Sequence, residues 1–210
     1  AQAMNASGRK RCIRLLLAAL LAAGFAPMTA LSADARHEAA PADIQPLLPR
    51  YLLMDVQGRA VSHEDFRGRF QLISFGFISC PDVCPTTLLE VKQLLEALGD
   101  KAGRVQAIFI TVDPERDTRE VLREYTAAFD KRILGLTGSP ELVRRAAESF
   151  RVQYEKVREP GAALDNYTMS HTAGMVLLDP RGRFLARFGY GIGAREMSER
   201  ILAEFAAEQR

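Results

Sequence analysis

The sequence predicts an α/β fold, in which a central mixed sheet carries helices on both faces and an added N-terminal hairpin. Three observations support this prediction. An apolar, β-prone run over residues 72–78 leads directly into the segment CPDVCP at 80–85, and then into leucines at helical spacing as far as Leu98. Strand and helix patterns alternate after that helix. Two strands flanking the turn DPRG at 179–182 then form a hairpin before a last helix.

The predicted elements follow one another in a simple order. A hairpin over residues 51–61 is followed by a turn capped by Ser62 and Asp65. We expect Asp117, with Glu120, to cap a later helix. Beyond the cysteine helix, the sequence predicts strand 105–112, helix 118–129, strand 133–136, helix 141–150, strand 152–157, strands 174–178 and 184–188, and helix 195–207.

The cysteine pair narrows the fold class to a thioredoxin-like sandwich. Cys80 and Cys84 follow the first long strand and are expected on the first turn of a helix. Free backbone N–H groups and the positive end of the helix dipole favour thiolate there, so such cysteines are nucleophiles or soft-metal ligands. Two buried cysteines that only pack are the alternative.

Length and composition indicate one globular domain with appendages. The 210 residues include 28 basic and 26 acidic side chains, and residues 1–33 contain four basic and no acidic ones. The remaining chain therefore carries a small net negative charge, which argues against a nucleic-acid partner.

The N-terminus predicts export. A basic cluster at 9–11 precedes an apolar run over 15–26 and then small residues, so residues 1–33 are a signal peptide or an N-terminal membrane anchor. Cys12 lies within the basic region and is read as incidental to it. Residues 34–50 form a linker, and residues 51–210 form the folded domain, placed in the periplasm or on the outer face of the cytoplasmic membrane.

The available ligands favour copper over structural zinc. Two cysteines and three histidines follow residue 34, and His37 falls in the linker while His63 is expected at the surface. A closed zinc site needs four nitrogen or sulfur ligands, whereas two thiolates suit Cu(I) and an added imidazole also suits Cu(II). His171, in a loop before a sheet strand, is the candidate for that imidazole, and a loop histidine bonded to backbone is the alternative.

Three motifs together resemble the Sco/SenC family of copper-binding assembly proteins: residues 75–85, DPERDT at 113–118, and His171 followed by a strand and DPRG. The resemblance extends from Tyr51 to Phe205. It implies a thioredoxin-like fold and a copper site made of Cys80, Cys84 and His171. It also implies delivery of copper to the binuclear centre of a haem-copper terminal oxidase.

Two roles remain open, because a dithiol can hold copper or reduce a disulfide. The first is a metallochaperone, whose partners are a copper-accepting oxidase subunit and a copper donor or thiol reductant. The second is a thiol-disulfide oxidoreductase acting on that centre or on another exported protein, with Cys80 and Cys84 as its redox pair.

Four other residues near the predicted site have alternative roles. Asp113 is either a carboxylate that supports the metal ligands from outside the ligand set or the cap of its own turn. Asp82 can bond loop N–H groups, and Met169 and Met175 are core residues or thioether ligands.

Overall fold

The computed structural model describes residues 48–163 and 165–208. The predicted leader 1–33 and all but the last three residues of the predicted linker lie outside this range. The strands are β1 Leu52–Asp55, β2 Ala60–Ser62, β3 Phe70–Gly76, β4 Val105–Thr111, β5 Ile133–Thr137, β6 Tyr154–Val157, β7 Thr168–His171, β8 Met175–Leu178 and β9 Phe184–Phe188. The helices are α1 Val83–Ala97, α2 Arg119–Phe129, α3 Pro140–Ser149 and α4 Ala194–Glu208, with 3-10 turns at His63–Phe66 and Gly99–Arg104.

Seven strands form one mixed sheet in the order β2-β1-β5-β4-β3-β8-β9. Strands β3, β4 and β5 are parallel, and the helices α1 and α2 connect them. Strand β8 runs antiparallel to β3, and β9 runs antiparallel to β8. The predicted N-terminal hairpin is present and extends the sheet, because β1 pairs antiparallel with β5.

The central strands are covered on both faces. Every residue of β3 and β4 is buried, as a continuous apolar run predicts. Successive strand residues point to opposite faces, and the ring of Phe75 contacts Phe150 at the end of α3, whereas a Cβ on Gly76 would meet Cys84 of α1. Helix α3 therefore covers one face and α1 covers the other, where it packs against α4.

The short β6 and β7 strands form a separate antiparallel ribbon. The sequence predicted β6 but assigned residues 168–171 to a loop, so the strand character of β7 is a correction. The segment TMSH has a single apolar side chain and so lacks the alternation that marks a strand, and the pairing of Tyr154 with His171 is made only in the tertiary structure.

Two predicted caps have different outcomes. Ser62 and Asp65 form the expected capping box. The Ser62 hydroxyl accepts from the Glu64 N–H, and the Ser62 backbone N–H donates to the Asp65 carboxylate. The predicted cap Asp117 is wrong, because Thr118 caps α2 by accepting from the Val121 N–H at 3.4 Å. No helix in the described part of the chain has the length and apolar character needed to span a bilayer.

Candidate metal centre

The two cysteines lie at different places at the start of α1. Cys84 is the second residue of the helix, whereas Cys80 lies in the preceding loop, so the prediction that both occupy the first helical turn is corrected. The helix begins at Val83, because Asp82 has a non-helical backbone and its carbonyl accepts the first helical bond, from the Thr86 N–H. Pro85 is tolerated in the first turn, where its missing N–H is not needed. Cys80 is half-buried and Cys84 is only 2% exposed. The Cys84 N–H points at the Cys80 sulfur at 3.5 Å.

The imidazole of His171 lies against the buried cysteine. Its Nε2 is 3.6 Å from the Cys84 Sγ, although 87 residues separate the two in the chain. Its Nδ1 is 3.1 Å from the carbonyl oxygen of Thr172. A carbonyl only accepts, so Nδ1 carries the proton and the lone pair of Nε2 faces the sulfur. The ring also packs edge-on against Phe77.

The electrostatics of the pair differ from the expectation of a thiolate. Burial raises the pKa of Cys84, and contact with the Cys80 side chain raises it further, while a backbone hydrogen bond from Phe77 opposes this. Burial also lowers the pKa of His171. Desolvation therefore outweighs the helix terminus at Cys84, and the pair at neutral pH is a thiol whose S–H can donate to a neutral imidazole. Metal binding would release that proton.

The geometry of this pair fits a shared metal ion. Metal–sulfur and metal–nitrogen bonds of about 2.3 and 2.0 Å, at a tetrahedral angle, place the two donors about 3.5 Å apart. The 3.6 Å separation of Cys84 and His171 matches this value. Among residues 48–163 and 165–208, however, no group of three or more histidine, cysteine, aspartate or glutamate side chains is assembled closely enough to hold an ion. Cys84 and His171 are in contact, and the sulfur of Cys80, on its loop, lies near the backbone N–H of Cys84.

The site has access to solvent along the ribbon. A surface cleft of about 400 Å³ is lined by Gln153, Tyr154, Glu155, Ser170, His171 and Thr172. His171 thus has one face towards the buried sulfur and lines a cleft on the surface. Ser170, next to His171, is exposed in this cleft.

The other residues singled out from the sequence lie around the pair. Asp113 is buried and makes neither of the contacts considered for it: its carboxylate binds the Arg116 guanidinium and accepts from the Tyr167 hydroxyl at 2.9 Å. Asp82 is exposed and its side chain makes no capping bond at α1. Met169 and Met175 are buried in the apolar core, in agreement with the core interpretation.

Three residues that contact the site were not assigned to it from the sequence. Gly76 ends β3 directly beneath Cys84, Asp117 accepts from the Ile78 N–H at the start of the cysteine loop, and Tyr167 joins Asp113 to the ribbon. A glycine closing an apolar strand, immediately before a cysteine loop, is a signal that could have been used, because it permits close approach. The roles of Asp117 and Tyr167 depend on contacts across the fold and leave no local pattern.

Comparison with known proteins agrees with the architecture. The SCO1/SenC family pattern matches residues 39–206. The human protein SCO2 homolog, mitochondrial, is 40% identical over 157 residues, which cover 74% of this chain and 58% of that protein. Copper-bound ScoI of Bradyrhizobium japonicum is 39% identical with a TM-score of 0.67, covering 73% of this chain and 96% of that structure. Copper-bound yeast Sco1 is 33% identical with a TM-score of 0.70, covering 79% and 94%.

The family match extends over most of the described domain and includes both the cysteine loop and the ribbon. The aligned part of the chain spans less than two thirds of the length of the human relative. The structural agreement confirms the predicted thioredoxin-like sandwich. From the family match and the identity to its relatives, this chain belongs to the SCO1/SenC family.

Proposed function

We propose that this protein binds one copper ion through Cys80, Cys84 and His171 and delivers it to the binuclear copper centre of a haem-copper terminal oxidase. The single observation that carries the proposal is the 3.6 Å approach of His171 Nε2 to Cys84 Sγ, with the nitrogen lone pair directed at the sulfur. Family membership supports it, because two solved relatives contain copper.

The donor set accounts for the choice of metal. Two thiolates and one imidazole are soft or intermediate ligands, which suit Cu(I) and also accept Cu(II). Cys84 and His171 would bind first, and the half-buried Cys80 would join them by a movement of its loop. A ligand that joins the ion by such a movement also suits a carrier, because the ion must leave again for the oxidase subunit.

A thiol-disulfide exchange role is the second candidate, and the proximity of the two cysteines favours it. The Cys80 thiolate would attack one sulfur of a partner disulfide and form a mixed disulfide. Cys84 would then attack Cys80, so that a Cys80–Cys84 disulfide forms and the partner leaves as a dithiol with two electrons and two protons. An exported thiol reductant would restore the pair. His171 has no obligatory part in this cycle.

A copper titration of the reduced full chain tests the metal site. All variants carry Cys12→Ser, so that the leader thiol cannot contribute. Absorption from thiolate-to-copper charge transfer should saturate at about one copper per chain, and Cys80→Ser, Cys84→Ser and His171→Ala should each lose most of it. His63→Ala, at the other described histidine, is the matched control and should bind normally. Stoichiometric binding retained by both Cys80→Ser and His171→Ala would reject the trio.

The same variants separate the two functions. Turnover of a model disulfide with a thiol reductant should stop in either cysteine variant under the exchange mechanism and persist in His171→Ala. Under the copper-carrier mechanism, His171→Ala should instead fail to metallate the oxidase centre, although its dithiol still reduces the disulfide. An oxidase subunit whose cysteines are already reduced is the best acceptor for this test, because it needs copper but no disulfide reduction.

We also propose that residues 1–33 direct export and that the domain works outside the cytoplasmic membrane. The basic cluster before the apolar run supports this orientation. N-terminal sequencing of the protein recovered from cells distinguishes a cleaved signal peptide from a retained anchor. Protection of the domain from external protease in spheroplasts would contradict export.

A further inference from the structure

The ribbon that carries His171 needs support from outside itself. Strands β6 and β7 pair only with one another in the sheets of the described residues, and an isolated two-stranded ribbon is marginally stable in water. Most of its side chains are exposed, and Met169 is the one fully buried side chain it contributes to the core. A histidine at the end of such a ribbon keeps a fixed position only if the ribbon is anchored.

Tyr167, immediately before β7, provides such an anchor. Its hydroxyl donates to Asp113 Oδ1 at 2.9 Å, and its backbone carbonyl accepts from Arg116 Nη1 at 2.8 Å. The Arg116 guanidinium also lies 3.8 Å above the centre of the Tyr167 ring, and Arg116 Nε donates to the second carboxylate oxygen of Asp113. Burial and the bond to Asp113 raise the pKa of Tyr167, so the hydroxyl keeps its proton. Asp113, Arg116 and Tyr167 form a closed cluster, which we call the tyrosine clamp.

The tyrosine clamp belongs to a turn that also holds the cysteine loop. Asp117, one residue after Arg116, accepts from the Ile78 N–H at 3.1 Å and from the Thr111 hydroxyl at 2.6 Å. Asp113 and Asp117 are 1% and 2% exposed, so both carboxylates act in a desolvated environment, where charge-assisted hydrogen bonds are strong. The turn 113–117 therefore contacts the loop that carries Cys80 and the ribbon that carries His171.

We propose that Tyr167, held by Asp113 and Arg116, is a positioning residue that sets the distance between His171 and Cys84. The clamp fixes one end of β7, and His171 lies at the other end of this four-residue strand. A second bond supports the other strand weakly, since the Lys156–Glu115 pair is solvent-exposed. Loss of the Tyr167 hydroxyl would leave the ribbon paired but free to shift against the sheet.

A test in the metal-free protein needs no assumption about copper. Tyr167→Phe removes the bond to Asp113 and keeps the ring beneath Arg116. Tyr154→Phe is the matched control on the same ribbon, because the Tyr154 hydroxyl makes no hydrogen bond to a described residue. Amides of 154–157 and 168–171 should exchange with solvent roughly 3–10-fold faster in Tyr167→Phe, corresponding to one lost hydrogen bond. The Nδ1–H resonance of His171 should broaden, and amides of β3 and β4 should be unaffected.

Unchanged exchange in the ribbon, or an equal acceleration throughout the sheet, would overturn the clamp. The first result means that Tyr167 does not hold the ribbon, and the second means that it contributes only to global stability. Asp113→Asn keeps an acceptor for the hydroxyl and removes the charge facing Arg116, so it should give an intermediate effect. An effect of Asp113→Asn in β3 and β4 but not in the ribbon would also contradict the proposal.

The copper-loaded protein tests the consequence for the site, and this part rests on the proposed function. Tyr167→Phe should lose copper to a chelator about 3–10-fold faster and shift the thiolate-to-copper band, whereas Tyr154→Phe should match the wild type. A loosened ribbon with an unchanged band and rate would refute the positioning role. If the wild-type chain shows no thiolate-to-copper band, the proposed function fails, and the exchange and Nδ1–H measurements alone decide the clamp.

Discussion

Replacing Gly76 by alanine should disturb the candidate site from the sheet beneath it. A Cβ at this position would lie 2.7 Å from Cys84 Sγ and 2.7 Å from Cε2 of Phe109. Ordinary contacts between such atoms are about 3.5–4.0 Å, so each contact is about 1 Å too short. Both neighbours are buried and closely packed, and neither can yield without displacing others. We therefore expect Gly76→Ala to push the Cys84 sulfur away from its place beside His171.

The size of the effect follows from these contacts. Overpacking in a filled core costs about 1–3 kcal/mol, and the lower unfolded-state entropy of alanine offsets about 0.4–1 kcal/mol of this. The net loss is then about 0.5–2 kcal/mol. The unfolding midpoint of a domain of this size falls by about 2–4 °C for each kcal/mol lost, so a decrease of roughly 1–8 °C is expected. Thermal and urea unfolding of the reduced protein, followed by circular dichroism, measure it.

Gly103→Ala is the matched control for this substitution. A Cβ on Gly103 would meet nothing within 4 Å, and its backbone lies outside the left-handed region. Its unfolding midpoint should equal that of the wild type or rise slightly. Adding Cys84→Ala to Gly76→Ala removes the contact with sulfur and should recover part of the loss. Equal midpoints for Gly76→Ala and Gly103→Ala, with unchanged copper binding, would refute this account of the glycine.

Three further predictions concern buried groups. In the reduced, metal-free chain, iodoacetamide should modify Cys80 at least 10-fold faster than Cys84, because burial raises the pKa of Cys84; peptide mapping by mass spectrometry measures both rates, and equal rates would contradict the burial of that thiol. Burial also raises the pKa of Glu90, whose Oε2 has no hydrogen-bond partner among the described residues, so the folded state disfavours its ionised form. Stability therefore falls as pH rises from the ordinary carboxyl range through the raised pKa. Glu90→Gln should then raise the free energy of unfolding at pH 7 and change it little at pH 4, and the reverse order would be evidence against a desolvated carboxylate. Asp117→Ala should cost about 1–3 kcal/mol and expose the Ile78 amide to exchange, whereas Asp117→Asn keeps an acceptor and should cost less; identical exchange at Ile78 in both variants and the wild type would show that the carboxylate does not hold the loop.

Most of the sheet and its helices could be predicted because their patterns are local and long. The runs that became β3 and β4 are apolar at nearly every position, which is the pattern of strands covered on both faces. The cap at Asp117 was wrong for a physical reason. Asp117 and Thr118 are adjacent and both suit a helix cap, and the contact of Asp117 with the cysteine loop left the cap to Thr118.

The protonation state of the cysteines also depends on contacts that a local sequence pattern does not show. From the sequence, a cysteine at a helix start is expected to be a thiolate, because the helix terminus is the only influence that a local pattern reveals. Packing of α1 against the sheet then buries Cys84 almost completely, and desolvation raises its pKa instead. Cys80, four residues earlier, stays half-buried in the loop, so one motif contains two thiols of different character.

The sequence by itself determined the fold class and the order of the central elements. It also predicted an export signal and the three side chains proposed as copper ligands, and these stay predictions. Only the tertiary structure decided that His171 meets Cys84, that Gly76 makes room for the sulfur, and that one turn contacts both halves of the site. The physical reason is the separation along the chain over which each interaction acts. Hydrophobic period and capping act over a few residues and are visible in the chain, whereas the distance between atoms 87 residues apart depends on how the ribbon and helix α1 pack on the same sheet.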